Sequence, residues 1–214
     1  MGLIMINSKS IYIFLGSLLF IALPLLLFIL GDFPKRDSLK EFISIVTILA
    51  FFIMIAQFYL SRLNDDLIKT FKSFKVIKIH KIFGYTILPI LLIHPFLIVV
   101  PRFFEVGPNP FDSFIVMITS FDKLGIFLGV FAWILILVLG LTSMFRNKLK
   151  ISYKAWKIFH GVLSLIFILF AAWHTIEMGR HMSTPMISLI IVLILLASIL
   201  LLKNYFFNKT IKGA

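Results

Sequence analysis

The 214-residue chain has no cysteine, which excludes disulfides, thiolate metal sites and cysteine-ligated iron–sulfur clusters. Charge is scarce as well: 14% of residues are Asp, Glu, Lys or Arg, against about 25% in an ordinary soluble domain. Acidic residues are the scarcest, nine against 21 basic ones, and the formal net charge is +12. Low-complexity runs, interdomain linkers and Gly-rich nucleotide-binding motifs are missing too. What is plentiful is apolar surface: 61% of the residues are hydrophobic and the mean hydropathy is +1.09. One small domain cannot hide that much apolar surface in its own core. A water-soluble enzyme, a disordered chain and a secreted disulfide scaffold are therefore excluded.

A membrane helix needs about 20 mostly apolar residues. Six stretches qualify, close to 11–30, 42–60, 79–100, 124–144, 158–176 and 186–202. The fold class they predict is all-α, a polytopic membrane protein built as a six-transmembrane-helix bundle, with residues 1–214 as a single domain. The first stretch is too long for the core of a cleavable signal peptide, and no small-residue cleavage site follows it. Gly31-Asp32-Phe33-Pro34, Val106-Gly107-Pro108-Asn109-Pro110 and Met178-Gly179 up to Pro185 supply turn chemistry between spans.

Fifteen of the 21 basic residues fall in the N-terminus, the segment Arg62 to Lys81, the segment Arg146 to Lys157 and the C-terminus. Seven of the nine acidic residues fall in the opposite set of loops. Basic loops stay on the cytoplasmic side, so both termini are expected there, in what reads as a bacterial plasma membrane. The same rule accounts for the basic excess without nucleic acid, and no nucleic-acid motif is present. The expected surroundings are the lipid bilayer.

Four of the five histidines lie within or at the ends of spans: His80 and His94 on the third, His160 and His174 on the fifth. Each pair is separated by 14 residues. Two heptads bring the side chains back to within about 40° of one face, and separate them by about 21 Å along the axis. The third and fifth spans run in the same direction. His80 and His160 are thus level near the cytoplasmic side, and His94 and His174 near the outer side. Ionisable residues within a membrane helix mark function by default, and facing helices of a bundle are where cofactor ligands sit. A lone intramembrane histidine is more often a packing or hydrogen-bonding residue. Two pairs with matched spacing and depth point instead to two stacked haems, each iron held by one imidazole from each helix. Between the ligands, Gly84, Ser164 and Ala171 are small enough to leave room for a porphyrin, and Ile87 and Phe167 would separate the two rings. A zinc or di-metal site fits poorly, because no carboxylate accompanies these histidines inside the spans.

His181 reads as an interfacial polar residue, with a propionate contact or an acceptor-side role as alternatives. Arg102 and Arg180 could pair with outer haem propionates and Lys81, Lys154 and Lys157 with inner ones, although snorkelling flank residues explain them equally well. Lysines recur at every third position from Lys69 to Lys81, in step with Phe71, Phe74 and Ile77. Plain positive-inside topology accounts for this run, and a docking face for an acidic partner is the functional alternative. Gly125 and Gly129 form a weak helix-packing signal. Pro95, directly after His94, is placed to help aim that ligand.

His80-Lys-Ile-Phe-Gly84 through Leu92-Ile-His94-Pro95, together with Trp156-Lys-Ile-Phe-His160 through Trp173-His174 and Gly179, resembles the ferric reductase-like transmembrane domain, the superfamily of ferric reductases and NADPH oxidases. The resemblance covers the central part of the chain. It implies six helices holding two b-type haems, with His80 and His160 on the inner iron and His94 and His174 on the outer one. Electrons would pass from the cytoplasmic side to an acceptor on the far side. Larger members carry flavin and nicotinamide domains after the membrane part. Few residues follow the last span here, so the resemblance implies a separate cytoplasmic flavoprotein reductase as donor. The chain would be the haem-carrying component of an oxidoreductase. It is also similar in size and layout to stand-alone haem subunits of bacterial methionine sulfoxide reductase systems. A quinol-linked cytochrome b subunit is the second reading. A cofactor-free transporter or assembly factor is the third, and it fits least well because, apart from the histidines and Gln57, the spans hold few polar groups.

Overall fold

The computed structural model describes residues 8–61 and 64–206. Arg62, Lys209 and Lys212 of the basic set, and the two ends of the expected 1–214 domain, lie outside the described residues. The described residues form helices joined by turns, without a strand. Among the described residues, six helices are long and apolar enough to cross a membrane: α1 (Ser8–Leu30), α2 (Ser38–Tyr59), α4 (Ser73–Val99), α6 (Leu124–Met144), α7 (Tyr153–Met178) and α8 (Thr184–Phe206). Two short helices join them, α3 (Asp65–Phe71) and α5 (Pro110–Thr119). The all-α, six-span architecture expected from hydropathy is the one observed. The spans extend further into the flanking polar sequence than their apolar cores suggest, because caps carry them on. Ser152 accepts the Ala155 N–H at 3.2 Å and starts α7 ahead of its apolar stretch. Asn64 caps α3 in the same way, accepting from Leu67 N.

Proline shapes two of the spans. Pro24 has no N–H to give to the helix ladder, and the turn before it, Leu18–Ala22, widens into a π-helix in which the Leu23 N–H reaches back to the Leu18 carbonyl. Pro89 and Pro95 both lie inside α4. Between α3 and α4, Lys72 takes φ 67° and ψ 140°, a backbone conformation that glycine adopts freely and lysine does not.

The core is formed where α2, α6, α7 and α8 meet, around Phe52, Ile55, Ile136, Ile168, Met186 and Ile190. Phe20 of α1 joins it. Large apolar side chains elsewhere point outward on every span, among them Ile13, Phe83, Ile134, Leu169 and Leu195, as expected of helices whose outer faces meet lipid. Tyr59 Oη donates to the Leu193 carbonyl at 2.6 Å and ties α2 to α8. Trp133 Nε1 donates to the Leu92 carbonyl at 2.8 Å and ties α6 to α4. The bundle has two unlike ends. One, the basic end, carries α3 and the turn 145–152. The other, termed the acidic end because it holds seven of the nine acidic residues alongside six basic ones, carries the turns 31–37, 100–123 and 179–183.

Candidate functional site

The four intramembrane histidines occupy α4 and α7, all half-buried. His94 and His174 are brought together toward the acidic end, with ring centres 6.1 Å apart and planes 73° to one another. If a metal-containing group is bound, these are the two imidazoles that would hold it at this level. His80 and His160 lie on the same two helices, toward the basic end. Of the two pairs expected from the 14-residue spacing, the structure brings His94 and His174 together across the helices.

The rings of His94 and His174 are steered through their Nδ1 atoms. His174 Nδ1 donates to the Gly125 carbonyl at 2.8 Å. That contact needs α6 bare on this side. A Cβ at Gly129 would overlap the imidazole, lying 2.7 Å from its Cε1, and one at Gly125 would meet Met178 and Glu177. The Gly125–Gly129 pair is therefore more than a packing motif, since it makes the seat of the His174 ring. His94 Nδ1 lies 3.4 Å from the Leu91 carbonyl. Proline at position 95 cannot donate to that carbonyl, so the Leu91 oxygen is released from the helix ladder and faces the ring. With both Nδ1 atoms turned to backbone oxygens, the Nε2 lone pairs are left to bind, the usual arrangement of metal-ligating histidines.

His160 is held differently. Its Nδ1 is 3.3 Å from Ser143 Oγ on α6, and the Trp156 indole stacks on it with centres 5.0 Å apart and planes at 25°. The Arg146 guanidinium covers Tyr153 and Trp156 at 4.5 and 5.1 Å. His80 Nδ1, the Trp156 Nε1 and both polar atoms of the Gln57 amide are buried with no hydrogen-bond partner among the described residues. Buried polar atoms require partners, and a group with its own polar edges, such as a haem with propionates, fits that demand. The donor set fits haem too: imidazoles in pairs from facing helices, with no group of three or more His, Cys, Asp or Glu among the described residues that could hold a bare ion.

The residues between the ligands agree in part with expectation. Ile87, Phe167 and Ala171 are buried. A Cβ at Gly84 would meet no atom within 4 Å. The Ser164 hydroxyl folds back onto the His160 carbonyl at 2.6 Å. Ser143 was not singled out in the sequence, because a hydroxyl near a helix end carries no periodic signal. His181 departs from expectation: rather than an interfacial side chain it is 5% exposed, packed against Phe28 and Phe33 and paired with Glu41 at 3.1 Å. Arg180 donates to the Pro34 carbonyl at 3.0 Å.

An uncharacterized protein of Archaeoglobus fulgidus is 36% identical over 163 residues, covering 76% of this chain and 88% of that protein. No solved structure matches the chain. Residues 46–171 match the model of the ferric reductase like transmembrane component family, a segment that contains His80, His94 and His160 and ends three residues before His174. With more than half of its length in that match, and with six spans presenting histidines from two of them, the chain belongs to the ferric reductase-like transmembrane component family.

Proposed function

We propose that this protein carries electrons across a membrane through two b-type haems, one held by His94 and His174 and the other by His80 and His160. The observation that carries the reading is the His94–His174 pair, 6.1 Å apart on different helices with both Nδ1 atoms facing backbone carbonyls. Bound haem would supply one-electron redox chemistry at each level. The protein's own residues orient the imidazoles, keep their Nε2 atoms basic and line the space between the levels with Ile87 and Phe167, which exclude water.

The electron donor in this reading is a separate cytoplasmic flavoprotein. It would meet the basic end, where Lys69, Lys75, Lys78, Lys81, Lys148, Lys150 and Lys154 gather. Such a face steers an acidic partner and speeds its encounter. Both termini are then cytoplasmic and the acidic end faces outward, where the acceptor binds.

The test is a reduced-minus-oxidised spectrum of the purified protein, with haem counted per chain. Two haems are expected. His94→Ala or His174→Ala should remove one and spare the other, and His80→Ala or His160→Ala should remove the complementary one. A colourless wild-type protein after expression with ample haem overturns the reading, as does a single-site variant that retains both haems.

A further inference from the structure

The 100–123 connection at the acidic end holds α5, whose ten residues are too few to cross a membrane. It differs from the other connecting helix. Three of the seven residues of α3 are charged, Asp65, Asp66 and Lys69. In α5 one of ten is charged, Asp112 in the first turn. A helix on a water-facing surface keeps a polar outer face. The outer side of α5 instead presents Phe111, Ile115 and Val116, 71%, 54% and 63% exposed. Asp112 and Thr119 share this side but stand at the two ends of the helix. The opposite side, with Phe114 and Met117, is half-buried.

Both ends of α5 cover polar groups of their own. Pro110 has no N–H, and the Phe111 N–H donates to Asn109 Oδ1 at 2.8 Å. At the other end Thr119 Oγ1 donates to the Ile115 carbonyl at 2.7 Å, and Ser120 Oγ donates to the Val116 carbonyl at 2.6 Å. Hydroxyls folded back onto their own helix are not offered to water, as a segment in lipid requires. Ring contacts set the level of the helix. Phe114 stacks on Phe96, with centres 4.9 Å apart and planes at 19°. Phe96 lies three residues inside the end of α4 and is itself half exposed. Phe121, just after α5, meets Phe127 of α6 at 6.0 Å. The apolar outer side of α5 is thus continuous with the surfaces of α4 and α6 that meet lipid.

We propose that α5 is a membrane-embedded half-helix rather than part of an aqueous loop. Its Phe111, Ile115 and Val116 side chains rest in the hydrocarbon of the leaflet at the acidic end, with Asp112 at headgroup level. Lipid is the occupant because the neighbouring surfaces already face it and because the ends of the helix cover their polar groups. The inference rests on the six spans and does not depend on haem.

The experiment uses the absence of cysteine. Ile115→Cys and Val116→Cys each introduce the only thiol of the chain, which carries a nitroxide label on the full chain in phosphatidylcholine vesicles. Power-saturation EPR reads collisions of the label with oxygen, which concentrates in lipid, and with nickel ethylenediaminediacetate, which stays in water and is supplied on both sides. Each reading is the increase over nitrogen, so a redox centre within the bundle does not enter it. Ile134→Cys, on the exposed side of α6 at mid-span, is the lipid reference, and Lys150→Cys, exposed in the turn 145–152, is the water reference. The oxygen-to-nickel ratio at both α5 positions should exceed that at Lys150 by about tenfold and approach that at Ile134. A ratio equal to that at Lys150 places α5 in water and overturns the proposal. Low accessibility to both reagents places α5 under protein, such as a second copy of the chain, and overturns it as well. The replaced side chains are all on the outer surface, and two positions on α5 are read independently, so the outcome does not hang on one variant.

Discussion

Gly129→Ala is the smallest change that tests the histidine geometry. The new methyl would stand 2.7 Å from His174 Cε1 and 2.8 Å from its Cγ, against an optimal carbon–carbon separation of about 3.5–4.0 Å. Either the ring or α6 must retreat by about 1 Å to restore ordinary contact. The imidazole is a stiff plane at the end of one Cβ, and rotating it away breaks the 2.8 Å bond from Nδ1 to the Gly125 carbonyl. Overpacking of this kind costs about 1–3 kcal/mol of stability. Disturbing the orienting contact of a metal-bound histidine costs about 10–100-fold in affinity.

The assay is haem content per chain together with the low-temperature EPR spectrum of the oxidised protein. The signal belonging to the His94–His174 level should shift or disappear, while the other level is unchanged. Gly140→Ala is the control. Its methyl would also overlap a neighbour, but that neighbour is the tip of Leu88, a flexible side chain that can turn away. A Gly129→Ala protein with full haem content and an unaltered spectrum would show that His174 is not seated against α6, or is not a ligand, and the proposed site would fail with it.

Other substitutions probe the remaining supports. Pro95→Ala returns an N–H to the helix ladder, where it competes with His94 for the Leu91 carbonyl; the helix should gain stability, by up to about 3 kcal/mol, while the same EPR signal shifts. A redox titration of Ser143→Ala should move the potential of the level held by His160 and leave the other in place, because only that ring loses its 3.3 Å contact. Lys72→Gly should raise the thermal midpoint, since it relieves a positive-φ residue at a cost of about 1–3 kcal/mol; an unchanged midpoint would mean the α3–α4 turn is not strained. Burial pushes the His181 pKa below its ordinary value, assisted by Arg36 and Arg180 and opposed by Glu41. A group depressed in the folded state leaves stability intact above its unfolded pKa, about 6.5 for histidine, and draws it down as pH falls toward the folded value. Unfolding midpoints measured from pH 8 to pH 5 should therefore fall more steeply for the wild type than for His181→Gln.

The legible features of this protein are those that repeat along one helix. Fourteen residues are close to a whole number of turns, so His80 with His94 and His160 with His174 declare a common face before any neighbour is known. Two parallel spans then fix which histidines share a level. The six spans are legible for a similar reason, because lipid demands the same apolar character over the whole length of each. The supports are not periodic. Ser143 matters only because α6 ends beside α7, and Gly129 only because His174 lies over it. Pro95 is the exception. Its missing N–H acts on the residue four positions back in its own helix, so its influence on His94 can be argued from sequence.

His181 shows why a loop is harder to read than a span. In the sequence it follows an arginine and precedes the last apolar run, which is the setting of an ordinary interfacial residue. Its burial comes from elements far away in the chain. Phe28 ends the first span, Phe33 lies in the turn after it, and Glu41 opens α2, so three separate segments must fold over one imidazole. None of the three carries a signal that names its partner. Yet the outcome constrains the chemistry more tightly than the span pattern does. Once Glu41 claims the Nε2 proton, Nδ1 can only accept. The acidic end of this bundle therefore has a polar requirement of its own, separate from the one that the two histidine pairs place on its interior.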